Sequence, residues 1–280
     1  VLTHVVLAAA GVLTHVSGRP VFAFDGLREG SMGTDRDWEN WGAADPYFGV
    51  YSRERFRSGS MTSEARNEFF VSGEEHIART LRDLRDAFGD EPSVRSALDF
   101  GSGVGRLVIP LARRAERVTG VDISPSMIAE AERNCAAAGV ANTSFVESDD
   151  RISRVSGTFD LVHSYIVLQH VAWSRGRGIL QALADRVGPG GHLAVQILTG
   201  HDASPLVRGL VRLRYAFPPA NWLRNVMRGR PVFEPAMQLH MYDRDVVRQD
   251  LEHRGFAVRF VDEQWPGFTS TFVYAKRRAS

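Results

Sequence analysis

The stretch Leu98-Asp99-Phe100-Gly101-Ser102-Gly103-Val104-Gly105-Arg106 decides how the chain is read. Residues 94–100 form a short apolar strand. The glycines behind it let the backbone turn sharply and come close to a ligand. Leu107, Val108 and Leu111 then begin a helix, so the glycines sit at a strand-to-helix junction. Asp122 follows 21 positions after Gly101, at the end of the next strand, where a carboxylate can accept hydrogen bonds from a ribose diol. A dinucleotide fold asks for G-x-G-x-x-G, whose third glycine would fall on Arg106. Here the glycines stand at Gly101, Gly103 and Gly105, with Asp99 ahead of them. An acid in that place repels a pyrophosphate and suits a cationic amino-acid group.

Outward from this loop the chain alternates strands and helices. On the amino-terminal side, Ile77, Leu81, Leu84 and Phe88 recur with helical spacing from Gly73, and Gly89 and Pro92 end that helix. On the other side, strands are expected over 117–121, 143–146, 159–164 and 192–198, with helices over 124–138 and 179–187. A helix over 242–253 precedes two last strands, 256–261 and 269–275, joined at Trp265-Pro266-Gly267. Strands and helices at this spacing make βαβ units and a parallel sheet. The expected fold is α/β: a Rossmann-like, doubly wound, seven-stranded sheet, mostly parallel with an antiparallel terminal hairpin, carrying an N-terminal arm and an inserted cap.

Composition removes several chemistries. The chain has 280 residues, 44% hydrophobic and 24% charged, with a formal charge of +1, so nothing global calls for nucleic acid or an acidic membrane. All the basic residues but Lys276 are arginine. A P-loop, a kinase phosphate lysine and a pyridoxal Schiff base all need an interior lysine. The arginine excess is read as a GC-rich coding bias. Cys135 is the only cysteine, which excludes an intrachain disulfide and a cysteine-based zinc site and fits a cytoplasmic location. No H-x-x-x-H spacing stands out, so no metal is expected. No apolar run approaches the roughly 20 residues that span a bilayer.

The motifs together resemble the class I S-adenosylmethionine-dependent methyltransferases. Asp99 to Gly105 is similar to that family's motif I, D/E-x-G-x-G-x-G, and further motifs follow in the family's order. Gly120-Val121-Asp122-Ile123-Ser124 resembles the ribose-binding segment, with Met127 where a side chain packs near adenine. Glu147-Ser148-Asp149-Asp150 resembles the acidic segment after the third strand, where an Asp bonds the adenine amino group. Phe159-Asp160-Leu161-Val162 followed by Val167-Leu168-Gln169-His170 resembles the fourth-strand motif. Gly188-Pro189-Gly190-Gly191 matches the turn before the fifth.

The resemblance implies S-adenosyl-L-methionine as cofactor and S-adenosyl-L-homocysteine as product. Asp99 and the three glycines would hold the methionine half and Asp122 the ribose. Ile123, Met127 and Asp149 or Asp150 would hold the adenine, while Ser164 and Tyr165 line the donor site. His170, after the fourth strand, is the candidate base, with packing of the next helix as the competing role; His163 reads as a buried, hydrogen-bonded histidine. The chain then divides into a leader or start-site artefact over 1–31, an arm and helix forming a lid over 32–92, and a cofactor-binding core over 93–199. A cap follows over 200–241, and the final helix and two strands over 242–280. VLTHV at 1–5 recurs at 12–16, and a genuine N-terminal helix used in packing or dimerisation is the competing reading of the leader.

Some acceptors are disfavoured by residues. Amino-methylating DNA enzymes carry Asn/Asp-Pro-Pro-aromatic where this chain has His163-Ser164-Tyr165-Ile166, and Cys135 is mid-helix, far from the strand ends that a pyrimidine-attacking thiol would need. The expected partner is a small-molecule acceptor, methylated at oxygen; nucleic acid and membrane are disfavoured and a homodimer stays open. Residues 203–233 carry Arg208, Arg212, Arg214, Arg224, Arg228 and Arg230 without Asp or Glu, interleaved with Tyr215, Phe217 and Trp222. That insertion supports the alternatives of a solvated cationic face, a cap for an acidic or aromatic molecule, or an RNA or protein methyltransferase. A non-catalytic cofactor-binding module is a further alternative, and a nicotinamide dehydrogenase is disfavoured by Arg106.

Overall fold

Seven extended segments hydrogen-bond in the order β3-β2-β1-β4-β5-β7-β6. They are β1 Ser96–Phe100, β2 Arg117–Asp122, β3 Thr143–Glu147, β4 Phe159–Ser164, β5 Val187–His201, β6 Phe256–Trp265 and β7 Phe268–Arg277. The first five run parallel, and β7 lies antiparallel between β5 and β6. This is the expected doubly wound sheet with its antiparallel end. The computed structural model describes residues 31–204, 206, 207, 209–211 and 217–279. Of the segment 1–31 read above as a leader, residues 1–30 lie outside the described residues, as do Arg208, Arg212, Arg214 and Tyr215.

Helices cover both faces, so the central strands are buried on both sides rather than alternately exposed; every residue of β1 is buried. On one face Leu98, Phe100, Val162 and Leu193 pack against Ile179, Leu180 and Leu183 of the helix Trp173–Asp185, with Val247 and Leu251 of the helix Arg244–His253. On the other, Ala97, Leu161, Phe272 and Tyr274 meet Ile77 and Leu84 of the helix Ser63–Phe88, together with Leu111 and Cys135. The chain winds outward from β1 through β2 to β3, then returns to place β4 on the other side of β1. The connections leaving the carboxyl ends of β1 and β4 therefore run to opposite faces of the sheet, which leaves a crevice at that point.

The largest departures from the expected bounds fall in three elements. The long helix starts at Ser63, not Gly73: Thr62 accepts the Ala65 N–H (3.1 Å), and the predicted stop at a left-handed Gly89 is present. Gly73 lies inside it, because a Cβ there would come within 2.3 Å of the Arg106 carbonyl oxygen. The helix expected over 179–187 is Trp173–Asp185, and Val187 opens β5 instead. β5 also takes in the Gly-Pro-Gly-Gly segment, and its far end is held by pairing with β7 out to His201.

The arm consists of Ser31–Ala44 and Pro46–Val50. It docks through an aromatic cluster of Trp41, Tyr47, Phe48, Phe56 and Phe69 closed over Val104 and Met127. Within the described part of the insertion, the helix Pro218–Met227 leaves Leu223, Val226 and Met227 exposed. Arg230 bonds Glu54 (2.8 Å) and Arg57 bonds Glu234 (2.9 Å), which tie insertion to arm. No helix among the described residues is long and apolar enough to cross a membrane, and no group of three or more His, Cys, Asp or Glu is placed to hold a metal.

Candidate active site

The crevice at the carboxyl ends of β1, β2 and β4 opens into one pocket walled by Gly101, Gly103, Asp122, Ile123, Met127, Ser148, Asp150 and Tyr165, with Asp35, Trp38, Gly49 and Val50 of the arm over it. Gly101 and Gly103 form its floor in left-handed conformations, φ +73° and +51°. A Cβ on Gly101 would meet Val167 at 2.2 Å and one on Gly103 would meet Val50 at 2.4 Å. Only glycine admits both the backbone shape and the approach of those two side chains.

Asp122 ends β2 and is bent back over the loop. Its Oδ2 accepts the Gly103 N–H (2.7 Å) and its Oδ1 the Ser124 N–H (3.0 Å). Burial pushes its pKa up to about 6, although those amides pull it down. Ser124 caps the helix Pro125–Ala137, which carries Met127 on its first turn against the pocket. Glu39 of the arm accepts from Ser124 Oγ (2.7 Å) and from the Ser126 amide (3.2 Å), where the positive end of the helix dipole favours an acid.

The opposite rim is ionic. Arg175 donates to both oxygens of Asp35 (2.6 and 3.1 Å) and from Nε to Asp150 (2.8 Å). One guanidinium thus joins the arm, the segment after β3 and the helix Trp173–Asp185. Ile166, also on the wall, has φ +60°, a rare state for a β-branched residue. Its N–H is held by Gln196 Oε1 at 3.2 Å.

Other residues singled out from the sequence stand away from the pocket wall. Gly105 packs on Ala131 (3.4 Å). Asp149 caps its own turn, accepting from the amides of Arg151 and Ser153 at 2.9 Å, and leaves Asp150 facing the pocket. Ser164 is buried and donates to the Phe100 carbonyl (2.9 Å). His170 is not on the wall either. Its Nδ1 donates to the Gln238 carbonyl (2.6 Å), its Nε2 lies 3.1 Å from Gln169 Nε2, and burial lowers its pKa to about 4. The Trp38 ring stands edge-on to it at 5.1 Å, and Trp38 is the residue that meets the pocket. The residue expected as a base therefore packs against Trp38 and does not line the pocket.

Asp99 also points elsewhere. It is 1% exposed, with Oδ1 2.8 Å from His163 Nδ1, and His163 Nε2 is 3.0 Å from His76 Nε2. His76 stacks on Tyr165 at 3.9 Å between centroids. Its pKa is held well below the usual histidine range, first by burial, then by the charges of His163, Arg106 and Arg79. His163 is thus the buried, bonded histidine anticipated. Sequence reading missed Asp35, Trp38, Val50 and Arg175 because nothing local links residues so far apart along the chain. It missed His76 because a lone histidine beside Ile77 carries no spacing signal.

Residues 97–191 match the family model described as a methyltransferase domain. Among curated proteins the chain is similar to a ubiquinone biosynthesis O-methyltransferase of Methylocella silvestris, 30% identical over 161 residues, 56% of this chain and 58% of that one. It is also similar to a trans-aconitate 2-methyltransferase of Deinococcus radiodurans, 35% identical over 124 residues, 43% and 44% of the two chains. The chain spans about half the length of these curated relatives. Among solved structures it is similar to magnesium protoporphyrin IX methyltransferase of Synechocystis PCC 6803 with bound SAH. The TM-score is 0.56 at 20% identity, over 87% of this chain and 99% of that one, a likeness of fold. Motif order, sheet order and these likenesses agree: residues 97–191 are a methyltransferase domain, and the chain has the fold of the class I S-adenosylmethionine-dependent methyltransferases.

Proposed function

We propose that the protein transfers a methyl group from S-adenosylmethionine to a small-molecule acceptor, at oxygen. The observation that carries this reading is Asp122. An ionised carboxylate has about four acceptor positions, and the Gly103 and Ser124 amides take two, leaving two for a ribose diol above the glycine floor. Ile123 and Met127 offer an apolar slot for adenine, with Ser148 and Asp150 at its polar edge.

The bound donor supplies a methyl on a sulfonium, already activated for in-line displacement, so the protein's main tasks are alignment and exclusion of water. Asp122 fixes the ribose, Val50 and Val167 narrow the floor, and Trp38 with the Arg175 bridge closes the arm over the site. Two features support a small acceptor over RNA. The pocket lies beneath the arm, and Arg230 of the cationic insertion is already committed to Glu54 and Glu234. Oxygen is supported by the first relative, which is named an O-methyltransferase.

The test is calorimetry with S-adenosylmethionine, S-adenosylhomocysteine and NAD, with Asp122→Ala as the variant. Losing two charge-assisted hydrogen bonds should weaken both sulfur ligands about 100-fold. Binding of NAD alone, or of none of the three to the unaltered protein, would overturn the reading.

A further inference from the structure

We propose that Arg106 anchors a carboxylate on the methyl acceptor, in the part of the site bounded by Tyr51 and Tyr165. This deepens the function just proposed and rests on it for the word acceptor, but the binding site itself is argued from Arg106 alone.

Arg106 is 3% exposed, and a guanidinium stays charged even when buried. Burying a cation without a partner is costly, so such groups are ordinarily ion-paired. Arg106 has no ion pair among the described residues. Among those residues its side chain hydrogen-bonds Ser72 Oγ (3.2 Å), and its buried Nε has no partner there. Asp99, whose charge reaches it, is bonded to His163 instead.

Around the guanidinium stand three rings, Tyr51 at 5.4 Å and Phe69 and Tyr165 at 5.8 Å. Such distances give weak cation–π attraction that does not replace a counter-ion. Tyr165 lines the donor pocket and Tyr51 directly follows Val50, which does too. The unpaired cation therefore lies just beyond the donor site, on the side of Tyr165. A planar carboxylate matches a guanidinium fork set between flat rings.

The chemistry of the pocket agrees. Its wall, among the described residues, carries no His, Lys or Glu. Asp35 and Asp150 are paired to Arg175, and Asp122 holds the loop amides. A carboxylate oxygen enters already ionised and needs no base to accept a methyl group. In that transfer the oxygen's lone pair forms the new C–O bond as the S–C bond breaks. The electrons of that bond stay on sulfur, leaving a neutral thioether and a neutral ester.

Calorimetry on the full chain with benzoate and its uncharged counterpart benzamide, in the presence and absence of S-adenosylhomocysteine, decides the matter. Benzoate should bind at least about tenfold more tightly than benzamide. Arg106→Gln should erase the difference while S-adenosylhomocysteine binds within about twofold of the unaltered protein. If Arg106→Gln does not fold, Arg106→Lys, which keeps the charge but loses the planar fork, should narrow the preference about threefold. Equal affinity for benzoate and benzamide in the unaltered protein, or no binding of either, overturns the anion site. So does a preference that survives Arg106→Gln. Failure of S-adenosylhomocysteine to bind overturns the donor reading instead, and the benzoate–benzamide comparison, which needs no donor, still decides the anion site.

Discussion

The wall built by the ends of β1 and β2 and the wall built by the arm meet the same cavity but are fixed by different means. The first is backbone: Gly101 and Gly103 in left-handed conformations, amides turned onto Asp122, and strands buried on both faces. The second is side chain: the Glu39 contacts to Ser124 and Ser126, the Arg175 bridge, and Trp38 resting on His170. A backbone wall tolerates little, since any Cβ in the wrong place collides. A side-chain wall can lose a contact and still reclose.

Breaking the backbone wall should therefore do the most damage. Gly101→Ala places a β-carbon at φ +73° and into Val167. The left-handed conformation alone costs about 1–2 kcal/mol, and the collision adds to it. Urea unfolding should show that loss of stability, and calorimetry should show S-adenosylhomocysteine binding abolished. Retention of binding at a normal midpoint would mean the loop is more yielding than its contacts imply.

Acid should weaken donor binding at the same wall in a graded way. The folded-state pKa of Asp122, about 6, lies above its ordinary value of 3.8. The folded protein thus holds this proton where the unfolded chain has lost it, and the group's contribution to stability declines as pH rises from about 4 to about 6. Donor binding runs the other way, because the ribose hydroxyls need the ionised carboxylate. Affinity should rise from pH 5 to pH 7 and level off above, approaching tenfold per unit below pH 6. Calorimetry across that range checks it, and a flat profile would remove Asp122 from the site.

The smallest effect should come from the arm. Arg175→Gln removes a bridge that is only partly shielded from water, worth about 1 kcal/mol. S-adenosylhomocysteine should then dissociate about three- to tenfold faster in stopped-flow measurements, with the unfolding midpoint nearly unchanged. A large loss of stability would show the arm to be part of the core.

The same division explains how much could be read from the sequence. The alternation of strands and helices and the glycine loop were legible because they depend on neighbours in the chain, such as Asp99 through Gly105 and the placement of Asp122. The start of the long helix was not, since Gly73 has a low helix propensity but is required by the approach of Arg106. The first turns of the helix Trp173–Asp185 were missed because Gly176 and Gly178 interrupt its apolar period. Which of two adjacent acids faces the pocket was undecidable locally: Asp149 turns inward to its own loop and Asp150 outward. His170 had the right position after β4, yet Gln238 and Gln169 engage both its nitrogens.

The single guanidinium that joins Asp35 to Asp150 has a kinetic consequence. A cover fastened by charge can lift without exposing the aromatic cluster beneath its other end, so little apolar surface meets water when it opens. Mobile ions compete with such a fastening but not with the glycine floor. Ionic strength should thus act on ligand exchange, with release quickening as salt rises, while the contacts that recognise the nucleoside stay as they are.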